Sequence, residues 1–127
     1  MRLRVLIAGL DELLLAAYRA FLAAEGVEII TVTNGRDCLA SLQRFLPDVL
    51  IIDLELPWEP GTGIKALVNE GKGLPAVPVL FLTSRPEKVA EIPAHMASCR
   101  FMIKPVPPAT VASVVRTLAE SSATSQV

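Results

Sequence analysis

The stretch Val49-Leu50-Ile51-Ile52-Asp53, an unbroken apolar run that ends in an acid, restricts the fold of this chain more than any other feature. Consecutive apolar residues leave no polar face for solvent, so this strand is expected to be buried on both sides, as in a parallel sheet covered by helices. Similar strands are predicted at Arg4 to Ala8, Glu28 to Val32, Val79 to Leu82 and Phe101 to Ile103.

Helical patterns and loops separate the predicted strands. A first helix is predicted to end near Gly26 and to carry on its buried face Leu14, Tyr18, Phe21 and Leu22. Asn34 is predicted to cap a second helix. Further helices are predicted at Ile64 to Asn69, Pro86 to about Ile92 and Pro108 to about Ser121, after which residues 122–127 are expected to form a flexible polar tail.

Strands that alternate with helices predict a doubly wound α/β domain. A chain of 127 residues makes one such domain, and right-handed crossovers give a five-stranded parallel sheet in the order 2-1-3-4-5. In such a sheet, function lies at the carboxyl ends of the strands. The residues at those ends are Gly9, Leu10 and Asp11 after strand one, Asp53 after strand three, Thr83 and Ser84 after strand four, and Lys104 after strand five.

Composition and charge exclude several classes of function. Twelve basic and thirteen acidic residues give a net charge of -1, without the basic excess that nucleic-acid binding needs. The apolar runs are far shorter than the ~20 residues of a transmembrane helix, and no signal peptide begins the chain, so we expect a cytoplasmic protein with no membrane contact. Cys38 and Cys99 form no CxxC pair and are expected to be buried apolar residues. No GxGxxG motif is present, and no nucleophile-base-acid set surrounds His95, so neither a cofactor nor an enzyme is predicted.

Several motifs taken together resemble the receiver domain of bacterial two-component response regulators over residues 3–121. Pro47 to Pro57 resembles the family's strand with its phospho-acceptor, and Asn34-Gly35 with Asp37 and Leu39 resembles the opening of its second helix. Pro78 to Ser84 resembles the family's fourth strand, and Phe101-Met102-Ile103-Lys104-Pro105 resembles its fifth strand. The resemblance implies a flavodoxin-like (βα)5 fold and assigns residues 1–121 to a receiver domain of a phosphorelay.

The resemblance also implies roles for single residues. Asp53 stands at the position that accepts a phosphoryl group, Lys104 and Thr83 stand at the other catalytic positions, and Thr83 and Phe101 stand at the switch positions. It further implies a cis Lys104-Pro105 bond and protein partners, namely a histidine kinase or a downstream output protein or domain. The residues alone leave simpler roles open: a plain salt bridge between Asp53 and Lys104, a strand-end threonine bonded to nearby backbone, and a core phenylalanine.

The sequence departs from the family at the metal site. Receivers end strand one with two adjacent acids that hold Mg²⁺, and counting back from Gly26 places Gly9 and Leu10 there. Asp11, Asp53 and Glu55 remain as weak candidate ligands. Because Asp53 beside Lys104 is expected to form a neutral pair that needs no cation, no resident metal is predicted.

These observations lead to three hypotheses. The first is a receiver that acts through protein–protein contacts, with phosphorylation of Asp53 weakened or lost. The alternative is a working Mg²⁺-dependent receiver with unusual ligands, and the third is a small flavodoxin-like enzyme or nucleotide binder. A homodimer or partner contact is expected on Pro86 to Ala97, Phe101 to Ile103 and Pro108 to Ser121.

Overall fold

The computed structural model describes residues 2–9, 11–55, 77–87 and 99–125. Within these ranges lie the following elements: β1 (Arg4–Ala8), α1 (Glu12–Ala24), β2 (Glu28–Val32), α2 (Gly35–Phe45), β3 (Val49–Asp53), β4 (Val79–Thr83), β5 (Cys99–Ile103) and α3 (Pro108–Ser125). Leu10, Trp58, His95, the helix predicted at 64–69 and most of the helix predicted at 86–92 lie outside the described residues.

The five strands form one parallel sheet in the order β2-β1-β3-β4-β5, which confirms the predicted fold. Strand β3 lies at the centre, and all five of its residues are buried. Its neighbours pair with it in register, with Ile7 opposite Ile51 and Ile51 opposite Leu80. The continuous apolar run at β3 is therefore explained by burial on both faces of the sheet.

Alternating residues of the strands enter two cores on opposite faces of the sheet. Val5 and Ile7 of β1 pack with α1 and α3, in a core that includes Tyr18, Leu22, Val111 and Val115. Leu6 and Ala8 face the other side, where they pack with Cys38, Leu42 and Phe45 of α2. Cys38 is a fully buried apolar residue, as predicted, and burial raises the pKa of its thiol to about 12.

The buried face of α1 differs from the predicted one. Leu15, Tyr18 and Leu22 are buried, whereas Leu14 is half-buried and Phe21 is exposed. The buried residues follow the three- and four-residue steps of a helix, so Leu15 takes the place predicted for Leu14, and Phe21 lies outside the buried face. The helix ends at Ala24, close to Gly26 as predicted, and the φ of 83° at Gly26 suits glycine better than any residue with a side chain.

Asn34 caps a helix as predicted, and the last helix begins at the predicted residue. The Asn34 side chain accepts a hydrogen bond from the Asp37 amide at 2.8 Å and so caps α2. Val111, Val115 and Leu118 of α3 are buried. This helix runs to Ser125, further than predicted, because no Gly or Pro interrupts the chain there. In the described part of the chain, no helix has the length and apolar character needed to span a bilayer.

Candidate functional site

Asp53 and Lys104 meet at the carboxyl edge of the sheet. Asp53 is the last residue of β3 and is 7% exposed. Lys104 follows β5, and its backbone N–H donates to the Thr83 carbonyl at 2.8 Å, which places its side chain beside the neighbouring strand ends. Lys104 Nζ donates to Asp53 Oδ2 at 2.8 Å, and Asp53 Oδ1 accepts from the Glu55 amide at 2.9 Å. The expected salt bridge is therefore present.

Glu55 adds a second carboxylate to this site. Its Oε1 lies 3.6 Å from Lys104 Nζ and accepts hydrogen bonds from the Ser84 amide at 2.5 Å and the Ser84 hydroxyl at 2.6 Å. Asp53 and Lys104 form the predicted pair, but the expectation that this leaves the site neutral is wrong, because Glu55 shares the same ammonium group. The turn at 54–55 brings Glu55 back toward Lys104. In the sequence, this contact is indicated only by the presence of an acidic residue two positions after Asp53.

Hydrogen bonding keeps Glu55 ionised. Burial alone would raise the pKa of its carboxyl group, but the hydrogen bonds from Ser84, the nearby Thr83 hydroxyl and the positive charge of Lys104 outweigh this effect and lower the pKa to about 2. Counting only the described residues, the site consequently holds an extra negative charge at neutral pH.

Thr83 and Phe101, the two predicted switch residues, differ in their exposure to solvent. Thr83 is fully buried, and its Oγ1 accepts from the Arg85 amide at 3.0 Å and donates to the Arg85 carbonyl at 3.2 Å, as a strand-end threonine does. Phe101 is 51% exposed, so the alternative in which it is a core side chain is wrong. Met102 of the same strand packs against the core, and strand alternation places Phe101 and Ile103 on the other face.

Position 9 lies against the Asp53 side chain. A Cβ atom added to Gly9 would be 3.7 Å from Asp53 Cβ and 3.3 Å from Leu15 Cδ2. Gly9 also donates its N–H to the Val32 carbonyl at 3.0 Å, so the backbone here is fixed. Any side chain at this position would therefore enter the site directly, and glycine supplies none.

Asp11 caps helix α1. Its Oδ1 accepts from the amides of Leu13 and Leu14, each at 3.1 Å. Asp11, Gly9, Tyr18 and Asp53 line one small pocket beneath the site. Sequence reasoning missed Tyr18 here: it is buried, its hydroxyl donates to the Val106 carbonyl at 2.8 Å, and burial together with the negative charge of Asp53 raises its pKa.

Most carboxylate oxygens of the site already accept hydrogen bonds. Both carboxylate oxygens of Asp53 and Oε1 of Glu55 accept hydrogen bonds, whereas Glu55 Oε2 is buried without a hydrogen-bond partner. Among the described residues, no group of three or more His, Cys, Asp or Glu side chains is arranged to hold a metal ion.

Residues 5–116 match the family described as the response regulator receiver domain. The luminescence regulatory protein LuxO of Vibrio campbellii is 37% identical over 92 residues, which are 71% of this chain and 20% of LuxO. LuxO of Vibrio cholerae is 35% identical over the same length. The chain therefore spans about a fifth of the length of these relatives.

Solved structures share the fold. The receiver domain of a LuxO repressor from Vibrio parahaemolyticus superposes with a TM-score of 0.81 at 21% identity, covering 99% of this chain and 96% of that one. The chemotaxis response regulator CheY4 of Vibrio cholerae superposes with a TM-score of 0.77 at 27% identity, covering 93% and 99%.

Proposed function

The chain belongs to the response regulator receiver domain family, and on this premise we propose that it is a cytoplasmic signalling module that acts through protein–protein contacts, with phosphorylation of Asp53 weakened or lost. The observation that carries the proposal is Gly9, where a side chain would contact Asp53 and where the resemblance to receivers places an acid. Its proposed partners are a histidine kinase or an output protein or domain. Membership of the family argues against the third hypothesis, an enzyme or nucleotide binder.

Charge in the site works against phosphoryl transfer to Asp53. Transfer brings further negative charge to a carboxylate, so catalysis depends on neutralising groups placed beside it. Lys104 is the cation that contacts Asp53, and it also lies 3.6 Å from Glu55. A phosphoryl group would share this one ammonium with Glu55, which supports slow or absent phosphorylation.

The residues present do not fit a resident Mg²⁺ ion. Mg²⁺ takes octahedral oxygen ligands, usually one or two carboxylates with several waters. Gly9 offers no side chain, and both Asp53 oxygens already accept hydrogen bonds. Glu55 Oε2 has no hydrogen-bond partner, but it is buried, away from the solvent that supplies the ordered waters that Mg²⁺ retains.

One observation favours the alternative, a working Mg²⁺-dependent receiver with unusual ligands. Two carboxylates against one ammonium leave a surplus negative charge, which attracts a cation. In the alternative, the cation would bind the second lone pair of an Asp53 oxygen or the unpartnered Oε2 of Glu55, while Asp11 Oδ1 continues to cap α1.

A Mg²⁺ titration followed by the amide NMR signals of Gly9, Asp53 and Glu55 distinguishes the two. We expect no saturable shift at millimolar Mg²⁺ in the natural chain. The variant Gly9→Asp with Leu10→Asp should gain a saturable response, provided that the end of Leu15 yields by a few tenths of an ångström. A saturable response of the natural chain would favour the alternative.

A further inference from the structure

Ser84, the first residue after β4, is bonded to Glu55. Its amide and its hydroxyl both donate to Glu55 Oε1, at 2.5 and 2.6 Å. Lys104 Nζ lies 3.6 Å from the same oxygen. Two hydrogen-bond donors of Ser84 and the ammonium group of Lys104 therefore surround one oxygen of the Glu55 carboxylate.

These donors are of the kind that binds a small oxyanion. Backbone N–H groups and ammonium groups form short, charge-assisted hydrogen bonds with phosphate and carboxylate oxygens. A phosphoryl group on Asp53 would lie within reach of Lys104, since Lys104 Nζ is 2.8 Å from Asp53 Oδ2. An anion that entered here would compete with Glu55 for the same ammonium.

We propose that Glu55 is a built-in anion that occupies the place of an incoming oxyanion, binding the Ser84 amide, the Ser84 hydroxyl and Lys104 and so fixing the segment after β4 without phosphorylation. Glu55 is thus a positioning residue for Ser84. This inference deepens the proposed function and rests on it, because it gives a second reason, independent of the metal site, for weak phosphorylation of Asp53.

Removal of the Glu55 carboxylate should expose an anion site. In Glu55→Ala the Ser84 donors lose their acceptor and Lys104 keeps only Asp53. Inorganic phosphate could then take the place of the carboxylate. A glutamate that served only to stabilise the turn would leave no such site when removed.

The test compares Asp53→Asn with Asp53→Asn/Glu55→Ala by NMR during titration with inorganic phosphate. In the single variant we expect a Ser84 amide signal far downfield, as a short hydrogen bond to a carboxylate produces, and no response to phosphate. In the double variant the Ser84 amide signal should move upfield. Addition of phosphate to millimolar concentration should move this signal downfield again, and the shift should reach a plateau. We expect phosphate to bind the double variant at least about tenfold more tightly than the single variant.

A matched control is Asp53→Asn/Glu87→Ala, which removes one negative charge near the same end of the sheet. Glu87 is exposed and pairs with Arg85, 3.5 Å away, so its removal changes the net charge equally without freeing the Ser84 donors. This control should behave like Asp53→Asn. The proposal is overturned if the double variant is folded and its Ser84 amide signal does not shift with phosphate, or if the control variant shows the same phosphate-dependent shift.

The outcome is separable from that of the proposed function. Every variant in the titration lacks the Asp53 carboxylate, so no result depends on whether Asp53 accepts a phosphoryl group. Efficient phosphorylation of the natural chain would contradict the proposed function, whereas the phosphate titration of the Asp53→Asn variants would still decide whether Glu55 occupies an anion site.

Discussion

One ammonium group shared by two carboxylates sets the electrostatics of the site at the scale of single residues. Lys104 is closer to Asp53, at 2.8 Å, than to Glu55, at 3.6 Å. Glu55 compensates through Ser84, which donates twice to it. The two carboxylates therefore share Lys104, and a change at one is expected to alter the charge balance at the other.

The lowered pKa of Glu55 predicts how its contribution to stability varies with pH. Its pKa falls from an ordinary value of 4.5 to about 2 in the folded chain. The stabilisation is therefore fully present above pH 4.5 and is lost as the pH falls to about 2. Urea unfolding of the natural chain and of Glu55→Gln should differ more in free energy at pH 7 than at pH 3. An equal difference at both values would contradict the assignment, and Glu87→Gln is the control.

Elements position these residues through their ends. Strands β3, β4 and β5 finish at Asp53, Thr83 and Ile103, so the functional side chains lie at the last residue of a strand or just beyond it. In the pairing of β4 with β5, Thr83 lies opposite Ile103. The backbone N–H of the next residue, Lys104, donates a hydrogen bond to the Thr83 carbonyl. Helix α1 begins beside the same edge, where Asp11 closes its first turn.

Asp11→Ala tests whether Asp11 serves α1 as a cap. Loss of its bonds to Leu13 and Leu14 should lower the free energy of unfolding by about 1 kcal/mol, whereas Asp11→Asn should retain most of the stability because asparagine also caps helices well. Urea denaturation measures both variants. Equal stability of Asp11→Ala and the natural chain would show that the cap contributes nothing.

At the scale of the whole molecule, the fold was largely predictable and the site only partly so. The apolar run at β3 and the alternation of strands with helices predict the sheet, and the rule for strand ends brings Asp53 and Lys104 together. The position of Glu55 depends on the conformation of the turn after β3, and the spacing of residues in the sequence does not predict that conformation. The exposure of Phe101 depends on which face of β5 it occupies, and a short run of three apolar residues leaves this undetermined.

The exposed apolar residues of β5 provide a test of the partner surface. Phe101 is 51% and Ile103 43% exposed, and both belong to the surface predicted for a homodimer or partner contact. Phe101→Asp should weaken self-association measured by sedimentation velocity, with an unchanged circular dichroism spectrum. Arg100 is less suitable for the test, because it lies on the opposite face of β5, with Met102.

The matched control is Ile30→Asp, which places the same charge on an exposed apolar position of the strand at the other edge of the sheet. We expect it to leave association unchanged. An equal loss of association in both variants would place the contact elsewhere, as would no loss in Phe101→Asp.

The most direct test of the central claim is intact-mass spectrometry after incubation with acetyl phosphate and Mg²⁺. We predict little or no phosphoryl group on the natural chain, and a gain in the variant Gly9→Asp with Leu10→Asp that disappears when Asp53→Asn is added. Substantial, saturable phosphorylation of the natural chain that is lost in Asp53→Asn would contradict the account.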